Sequence, residues 1–311
     1  MFLEITMSQK THYKGFDVYT IMADDEISQA SFVPDKGGVG SSIVLPFQNK
    51  GREILFLHDH FWEKGNPHLP GGWPFIFPVC ARLERGGILG NYLYDGKLYN
   101  MKIHGFAPYM QWHVAEYFHD GITLALRDTP ETFAQYPFNF LIELKYQISK
   151  GVLTCAQRYA NMGDKPMPYY AGFHPYFLTP KPHHGKEKVM LDYKPKRRFC
   201  YNEKLADLVG EQPLFDLPVS IADPNINEQL VELSEDKKTS LAFPDGFKIN
   251  MEVIGLEDPD LFNYVQLYTQ ETQPFICIEP WMGFPNAMNT VSGVKWLMPG
   301  KSANAFLKLW V

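Results

Sequence analysis

Two titratable side chains lie inside aromatic, apolar segments of this chain. They are His174, in Tyr169-Tyr170-Ala171-Gly172-Phe173-His174-Pro175-Tyr176-Phe177, and Glu279, in Phe275-Ile276-Cys277-Ile278-Glu279-Pro280-Trp281. An imidazole or carboxylate set among Phe, Ile and Trp loses solvation, so it calls for a hydrogen-bonded partner or a chemical task. One potential acid and one potential base together indicate proton transfer.

Other residues with chemical potential are less isolated. Arg82 follows the proline-bounded apolar run Pro70-Gly71-Gly72-Trp73-Pro74-Phe75-Ile76-Phe77-Pro78-Val79-Cys80-Ala81. A guanidinium there needs a partner, and its planar fork suits paired hydroxyls or a carboxylate. His104 sits in Lys102-Ile103-His104-Gly105-Phe106-Ala107, where Gly105 lets backbone approach a ligand closely. His58-Asp59-His60 places two imidazoles at i and i+2 but has no identifiable third metal ligand, so it reads as polar side chains facing solvent, as does His183-His184. Gly37-Gly38-Val39-Gly40 lacks the flanking strand, helix and spacing of a phosphate-binding loop and reads as a turn into Ser42-Ile43-Val44-Leu45.

The elements that must position these groups are strands. Period-two alternation recurs along the chain, as in Gly121 to Arg127 and Phe140 to Ile148. Ser149-Lys150-Gly151 then turns the chain into Val152 to Tyr159, a hairpin signature. Asn263 to Thr269, Phe275 to Ile278 and Ala303 to Val311 are further strand candidates. Long helical periodicity is missing, and 24 Pro with 24 Gly punctuate the runs. The pattern predicts an all-β fold, a large antiparallel β-sandwich with few short helices, formed as one domain over residues 1–311. Thr179 to Pro213, rich in Pro, Lys and His and containing Lys194-Pro195-Lys196-Arg197-Arg198, reads as a long excursion between strands. Its basic run reads as solvated surface, with a handle for a phosphorylated substrate as the sharper option.

Composition excludes several classes. Of the 311 residues, 45% are hydrophobic and 21% charged, which supplies a core and argues against disorder. A formal net charge of −6, with no interleaved basic and aromatic stripe, argues against nucleic acid as a partner. The four cysteines, Cys80, Cys155, Cys200 and Cys277, form no Cys-x-x-Cys pair and read as free thiols in a reducing compartment. Met1-Phe2-Leu3-Glu4-Ile5-Thr6 lacks the pattern of an export signal, and no segment approaches the roughly 20 apolar residues of a membrane span. The expectation is a soluble cytoplasmic protein acting on a small molecule, with no membrane partner and an oligomeric state that composition leaves open.

Taken in order, Arg82, the His104-Gly105-Phe106 segment, Gly172-Phe173-His174-Pro175-Tyr176-Phe177, and Glu279-Pro280-Trp281 followed by Gly283-Phe284-Pro285-Asn286-Ala287 resemble the aldose 1-epimerase (galactose mutarotase-like) family. The resemblance runs from the Gly37-Gly38 turn to Val311. It implies the supersandwich of that family, with a sugar cleft on one concave sheet. It also implies that His174 is the general acid and Glu279 the general base, with His104 and Arg82 binding the sugar. Gln266 is similar to a family glutamine that contacts the sugar, and Asp223, in Ile221-Ala222-Asp223-Pro224-Asn225, to a family aspartate that holds hydroxyls, with Asp216 and Asp245 as competitors for that role. Two departures bear on substrate. Ala81 stands where galactose mutarotases have Asn, and Pro108 follows His104-Gly105-Phe106-Ala107 where hexose-6-phosphate epimerases often carry Arg.

The activity so implied is exchange of the α and β anomers of a free hexose, which needs no metal or redox cofactor. Trp73, Tyr176 and Trp281 are candidates to pack on a sugar face. The alternatives are a hexose-6-phosphate 1-epimerase using Arg85 or the Lys194–Arg198 run, a carbohydrate-binding protein without catalysis, and a glycoside hydrolase using a carboxylate pair such as Glu279 and Asp223.

Overall fold

The computed structural model describes residues 9–65, 69 and 71–311. The segment 1–6 considered above for export, and Pro70, lie outside these residues. The described chain is built from strands, joined by turns and two short α-helices, Pro130–Gln135 and Ala287–Thr290. The first helix begins on a capping box in which the Thr129 hydroxyl accepts from the Thr132 amide while the Thr132 hydroxyl accepts from the Thr129 amide.

Two large sheets carry the architecture. The nine-stranded sheet runs, in spatial order, His113–Tyr117, Gly121–Arg127, Phe140–Ser149, Val152–Asn161, Ser302–Trp310, Lys248–Gly255, Lys238–Ala242, Met190–Tyr193 and Val219–Ser220. The eight-stranded sheet runs Leu208–Gln212, Pro195–Tyr201, Gln229–Leu233, Tyr264–Thr269, Phe275–Trp281, Gly172–Phe173 and Phe75–Ile76, with Tyr176–Leu178 also paired to Phe275–Trp281. All these strand pairings are antiparallel. An N-terminal five-stranded sheet, from Gln9–Tyr13 to Lys50–Glu53, completes the body of the molecule.

The alternation read in the sequence explains why the sheets stack. In Phe140–Ser149, Ile142, Leu144, Tyr146 and Ile148 point inward while Lys145, Gln147 and Ser149 face solvent. Leu153, Leu307 and Leu309 from the same sheet join Leu230, Leu267, Ile276 and Ile278 from the other in one hydrophobic cluster. Each such fully buried aliphatic side chain contributes roughly 1.5–3 kcal/mol relative to exposure. The Phe140–Ser149/Val152–Asn161 hairpin closes through Gly151, whose φ of 67° is the left-handed conformation its turn requires.

Residues 179–213 depart from expectation. They contain three strands, Met190–Tyr193, Pro195–Tyr201 and Leu208–Gln212, which reach both large sheets. Pro195 and four basic residues hide the alternation. The strand Pro195–Tyr201 lies next to the sheet edge, where charged side chains are tolerated because they meet partners or solvent. Lys194 pairs with Asp236, Lys196 with Glu232, and Arg197 with both Glu232 and Glu211. Arg198 is buried and stacks over Phe215 at 3.9 Å.

Candidate active site

The strand Phe275–Trp281 is buried on both faces. Ile276 and Ile278 join the inter-sheet core, so Cys277 and Glu279 leave the opposite face. Its neighbour Tyr264–Thr269 does the same: Val265 and Leu267 pack into the core, and Gln266, directly opposite Glu279 in the register, points out with it. A cavity of about 420 Å³ opens over this face and is lined by Glu279, Gln266, His174, His104, Arg82, Glu228 and several aromatic side chains. That volume is within the usual range for small-molecule sites.

His174 arrives from the chain between Gly172–Phe173 and Tyr176–Leu178, both of which pair with the Glu279 strand. His174 Nε2 lies 3.3 Å from Glu279 Oε1, and the imidazole stacks on Tyr176 with ring centroids 4.8 Å apart. Both groups are almost fully enclosed, at 5% and 1% exposure. Enclosure disfavours charge on each. It pushes the Glu279 carboxyl well above the ordinary carboxylate range, with the nearby Glu228 charge adding to the effect. Burial likewise lowers the His174 imidazole to about 3. The pair is therefore one in which a single proton is shared between two groups held neutral.

His104 is positioned by a strained loop. Its φ is 65°, and Gly105 follows at 74°. A side chain at Gly105 would run into the carbonyl of Phe77, which forms a bridge with Gly105, so the second left-handed residue is held to glycine. The His104 amide donates to the Ala81 carbonyl, and the Ala81 amide donates to His104 Nδ1 at 3.2 Å. With Nδ1 accepting, the ring proton is on Nε2. Burial, then His174 and Arg82, keep the imidazole neutral by driving its pKa well down. His104 is thus a fixed neutral donor beside His174, their rings 5.1 Å apart.

Arg82 is half-buried at the cavity wall. Its carbonyl accepts from the Asn286 amide, and Asn286 also bonds both the amide and the carbonyl of Glu84. The Gly283-Phe284-Pro285-Asn286-Ala287 segment thereby fixes the backbone that presents Arg82. The small Ala81 side chain also lines the cavity.

Glu228 was not singled out in the sequence, because Asn227-Glu228-Gln229 looks like ordinary polar surface. In the structure it closes a chain of hydrogen bonds: Tyr201 donates its hydroxyl to Gln266 Oε1 at 2.8 Å, and Gln266 Nε2 donates to Glu228 Oε2 at 3.0 Å. Burial raises the Glu228 carboxyl above the ordinary range, against the pull of Arg82 and Gln266. Asp223 is placed elsewhere. It holds a turn by accepting from the Asn225 amide and side chain, and it lines a separate cavity with Lys186 and Thr269. Asp216 is exposed, and Asp245 pairs with Arg52 at 2.6 Å.

The other motifs divide similarly. His58 and His60 stack with centroids 5.1 Å apart and line the cavity rather than open surface alone. Tyr176 and Trp281 line the cavity, as do Tyr201 and Tyr268, whereas Trp73 packs in the core against Phe173 and Phe177. Lys194, Lys196 and Arg197 are engaged by carboxylates, and none of residues 194–198 lines the cavity. Among the described residues no helix is long and apolar enough to cross a membrane.

The comparisons with known proteins agree with this fold. The solved structure of the Slr1438 protein from Synechocystis sp. PCC 6803 is similar over 100% of this chain and 98% of its own, with a TM-score of 0.79 and 25% identity. A galactose mutarotase related enzyme from Lactobacillus acidophilus has the same fold, with a TM-score of 0.73 and 24% identity over 94% of this chain and 96% of its own. The chromosomal LacX protein of Lactococcus lactis subsp. lactis is 20% identical over 277 residues, covering 79% of this chain and 87% of LacX. The family model described as aldose 1-epimerase matches residues 17–288. With that match spanning most of the sandwich and the cavity residues, the chain belongs to the aldose 1-epimerase family, isomerases that act on carbohydrates.

Proposed function

We propose that this protein exchanges the α and β anomers of a free hexose, with Glu279 and His174 as the base and acid. The observation that carries this reading is the 3.3 Å approach of His174 Nε2 to Glu279 Oε1 at the wall of the cavity. Interconversion needs the C1–O5 bond to open, rotation about C1–C2, and closure on the other face. Glu279 takes the proton of the C1 hydroxyl as the C1=O bond forms, and the C1–O5 electrons go to O5, which takes a proton from His174. After rotation the same steps run in reverse.

The pair needs one proton between its two members to begin this cycle. In the closed site, burial places that proton on the carboxyl and leaves the imidazole neutral. Sugar hydroxyls donating to Glu279 favour its ionised form, so substrate binding moves the proton onto His174. His104 Nε2–H and the Arg82 guanidinium supply donors that hold the sugar and stabilise charge developing at oxygen. Glu228, fixed by Gln266 and indirectly by Tyr201, offers an acceptor for sugar hydroxyls, the role the resemblance assigned to Asp223. Tyr176 and Trp281 supply apolar walls.

An unphosphorylated sugar is favoured because Lys194, Lys196 and Arg197 pair with Asp236, Glu232 and Glu211, and neither they nor Arg198 nor Arg85 line the cavity, while Ala81 leaves room where an amide would select among hydroxyls. Turnover of glucose, galactose and glucose 6-phosphate, each followed as anomer exchange above the spontaneous rate, tests the reading. It predicts acceleration with a free hexose. Acceleration with glucose 6-phosphate alone, abolished by salt, contradicts it.

A further inference from the structure

Cys277 stands two residues before Glu279 on the same strand, so both side chains leave the same face. One ligand atom from each of His174, Cys277 and Glu279 lies within 4.8 Å of the others, and all three residues are buried. No sequence motif announces this group, since His174 comes from a different strand region. Two of its polar atoms, His174 Nδ1 and Glu279 Oε2, are enclosed without a hydrogen-bond partner. Imidazole, thiol and carboxylate are a zinc-type donor set, and three protein ligands with a fourth position open to a cavity is the arrangement of accessible zinc sites. Metal–ligand bonds of about 2.0–2.3 Å put tetrahedral ligand atoms roughly 3.3–3.8 Å apart. His174 Nε2 and Glu279 Oε1 already meet that spacing, and a sulfur within 4.8 Å of its partners needs to close by roughly 1.5 Å at most.

We propose that His174, Cys277 and Glu279 form a Zn²⁺ site overlapping the acid–base pair, so that zinc and sugar exclude one another. Charge balance favours it. Zinc entering the neutral site displaces one proton from the thiol and one from the carboxyl, leaving a neutral Zn–thiolate–carboxylate–imidazole group and releasing two protons to solvent. Magnesium and calcium, which require several oxygen donors, do not suit the set. Access is through the cavity, which His174 and Glu279 both line. The inhibitory consequence rests on the proposed roles of His174 and Glu279, whereas the binding site itself does not.

Calorimetric titration of metal-free protein with Zn²⁺ tests the site. One equivalent is expected to bind, and Cys277→Ser is expected to weaken binding by more than the roughly 10- to 100-fold that loss of an outer partner costs. Zinc should stop anomer exchange in the wild type and leave the Cys277→Ser variant active, the two having equal rates without metal. Co²⁺ bound to the wild type should give thiolate-to-metal charge-transfer absorption that Cys200→Ser, affecting the partly exposed thiol, retains; this readout stands even if Cys277→Ser fails to fold. Absence of stoichiometric binding, wild-type affinity in folded Cys277→Ser, or a cobalt complex without the thiolate band overturns the site. Binding without inhibition overturns the exclusion. If metal-free wild type shows no anomer exchange, the catalytic reading fails while the titration and the cobalt spectrum still decide the site.

Discussion

Gln266 and Glu279 face each other across two antiparallel strands, and each projects into the cavity while its neighbours along the strand pack into the core. In the proposed reaction this pairing ties sugar contact to proton transfer. Gln266 is oriented by Tyr201 and holds Glu228, whose charge adds to the burial that raises the Glu279 carboxyl.

Replacing Glu228 with Gln removes an acceptor and a charge. The expected result is a KM raised about 10- to 100-fold, the order expected when a site's hydrogen bond to a substrate hydroxyl is lost. Its second effect is on Glu279. With less negative charge nearby the Glu279 carboxyl ionises more readily, so any alkaline fall in kcat/KM should begin at lower pH than in the wild type. Steady-state kinetics across pH on both proteins check this, and an unmoved alkaline limb contradicts it.

The wild-type pH profile follows from the same pair. The proposed cycle needs one shared proton, which is present between the lowered pKa of His174, about 3, and the raised pKa of Glu279. As pH falls through 6.5, the range where an ordinary histidine gains its proton, kcat/KM should stay level, because His174 remains neutral in the free protein. As pH rises through the raised Glu279 value, the proton is lost and kcat/KM should fall. A rise in kcat/KM through pH 6.5 with an ordinary histidine midpoint contradicts the assignment.

Stability carries a related signature. The Glu279 carboxyl binds its proton more tightly folded than unfolded, so its contribution favours folding below the ordinary Glu pKa and diminishes as pH rises through the folded value. Glu279→Gln mimics the neutral carboxyl at all pH values. The variant should therefore melt higher than wild type at pH 8, with the difference shrinking toward pH 4.5. Thermal melts of both proteins isolate this group from others such as Glu53, which titrates in each. A variant less stable than wild type at pH 8 contradicts the burial argument.

Much of this was legible because the chemistry is out of place. His174 and Glu279 stand out as lone titratable groups among aromatic and aliphatic residues, and the order of the segments around them pointed to the family. The alternation in Phe140–Ser149 and Val152–Asn161 likewise exposed the sandwich. Glu228 was hidden because a pocket acid in a polar stretch looks like a surface acid, and its partner Gln266 is 38 residues away. Asp223 resembles the family aspartate in sequence, yet its carboxylate holds a turn by accepting from the Asn225 amide. The strand Pro195–Tyr201 was obscured because charges that pair across an edge do not alternate like a buried face.

Lys186 anchors the stretch that reads in the sequence as an excursion. Its ammonium donates to Thr269 Oγ1 at 2.9 Å and to the carbonyls of Gln270 and Gln273 at 2.9 and 2.7 Å, while the side chain is buried. Lys186→Ala strands these acceptors and should cost about 2–4 kcal/mol. Denaturant unfolding checks this, and a change below about 0.5 kcal/mol, typical of a surface site, contradicts it.

Anomer exchange in the single variants Glu279→Gln and His174→Asn, measured by saturation-transfer NMR on a hexose the wild type turns over, bears on the proton-transfer pair itself. Each variant should remain folded and lose about 10²- to 10⁴-fold in rate, the contribution typical of one well-placed proton-transfer group. Folded variants that both exchange anomers at the wild-type rate would show that the contact between His174 and Glu279 is not the seat of catalysis.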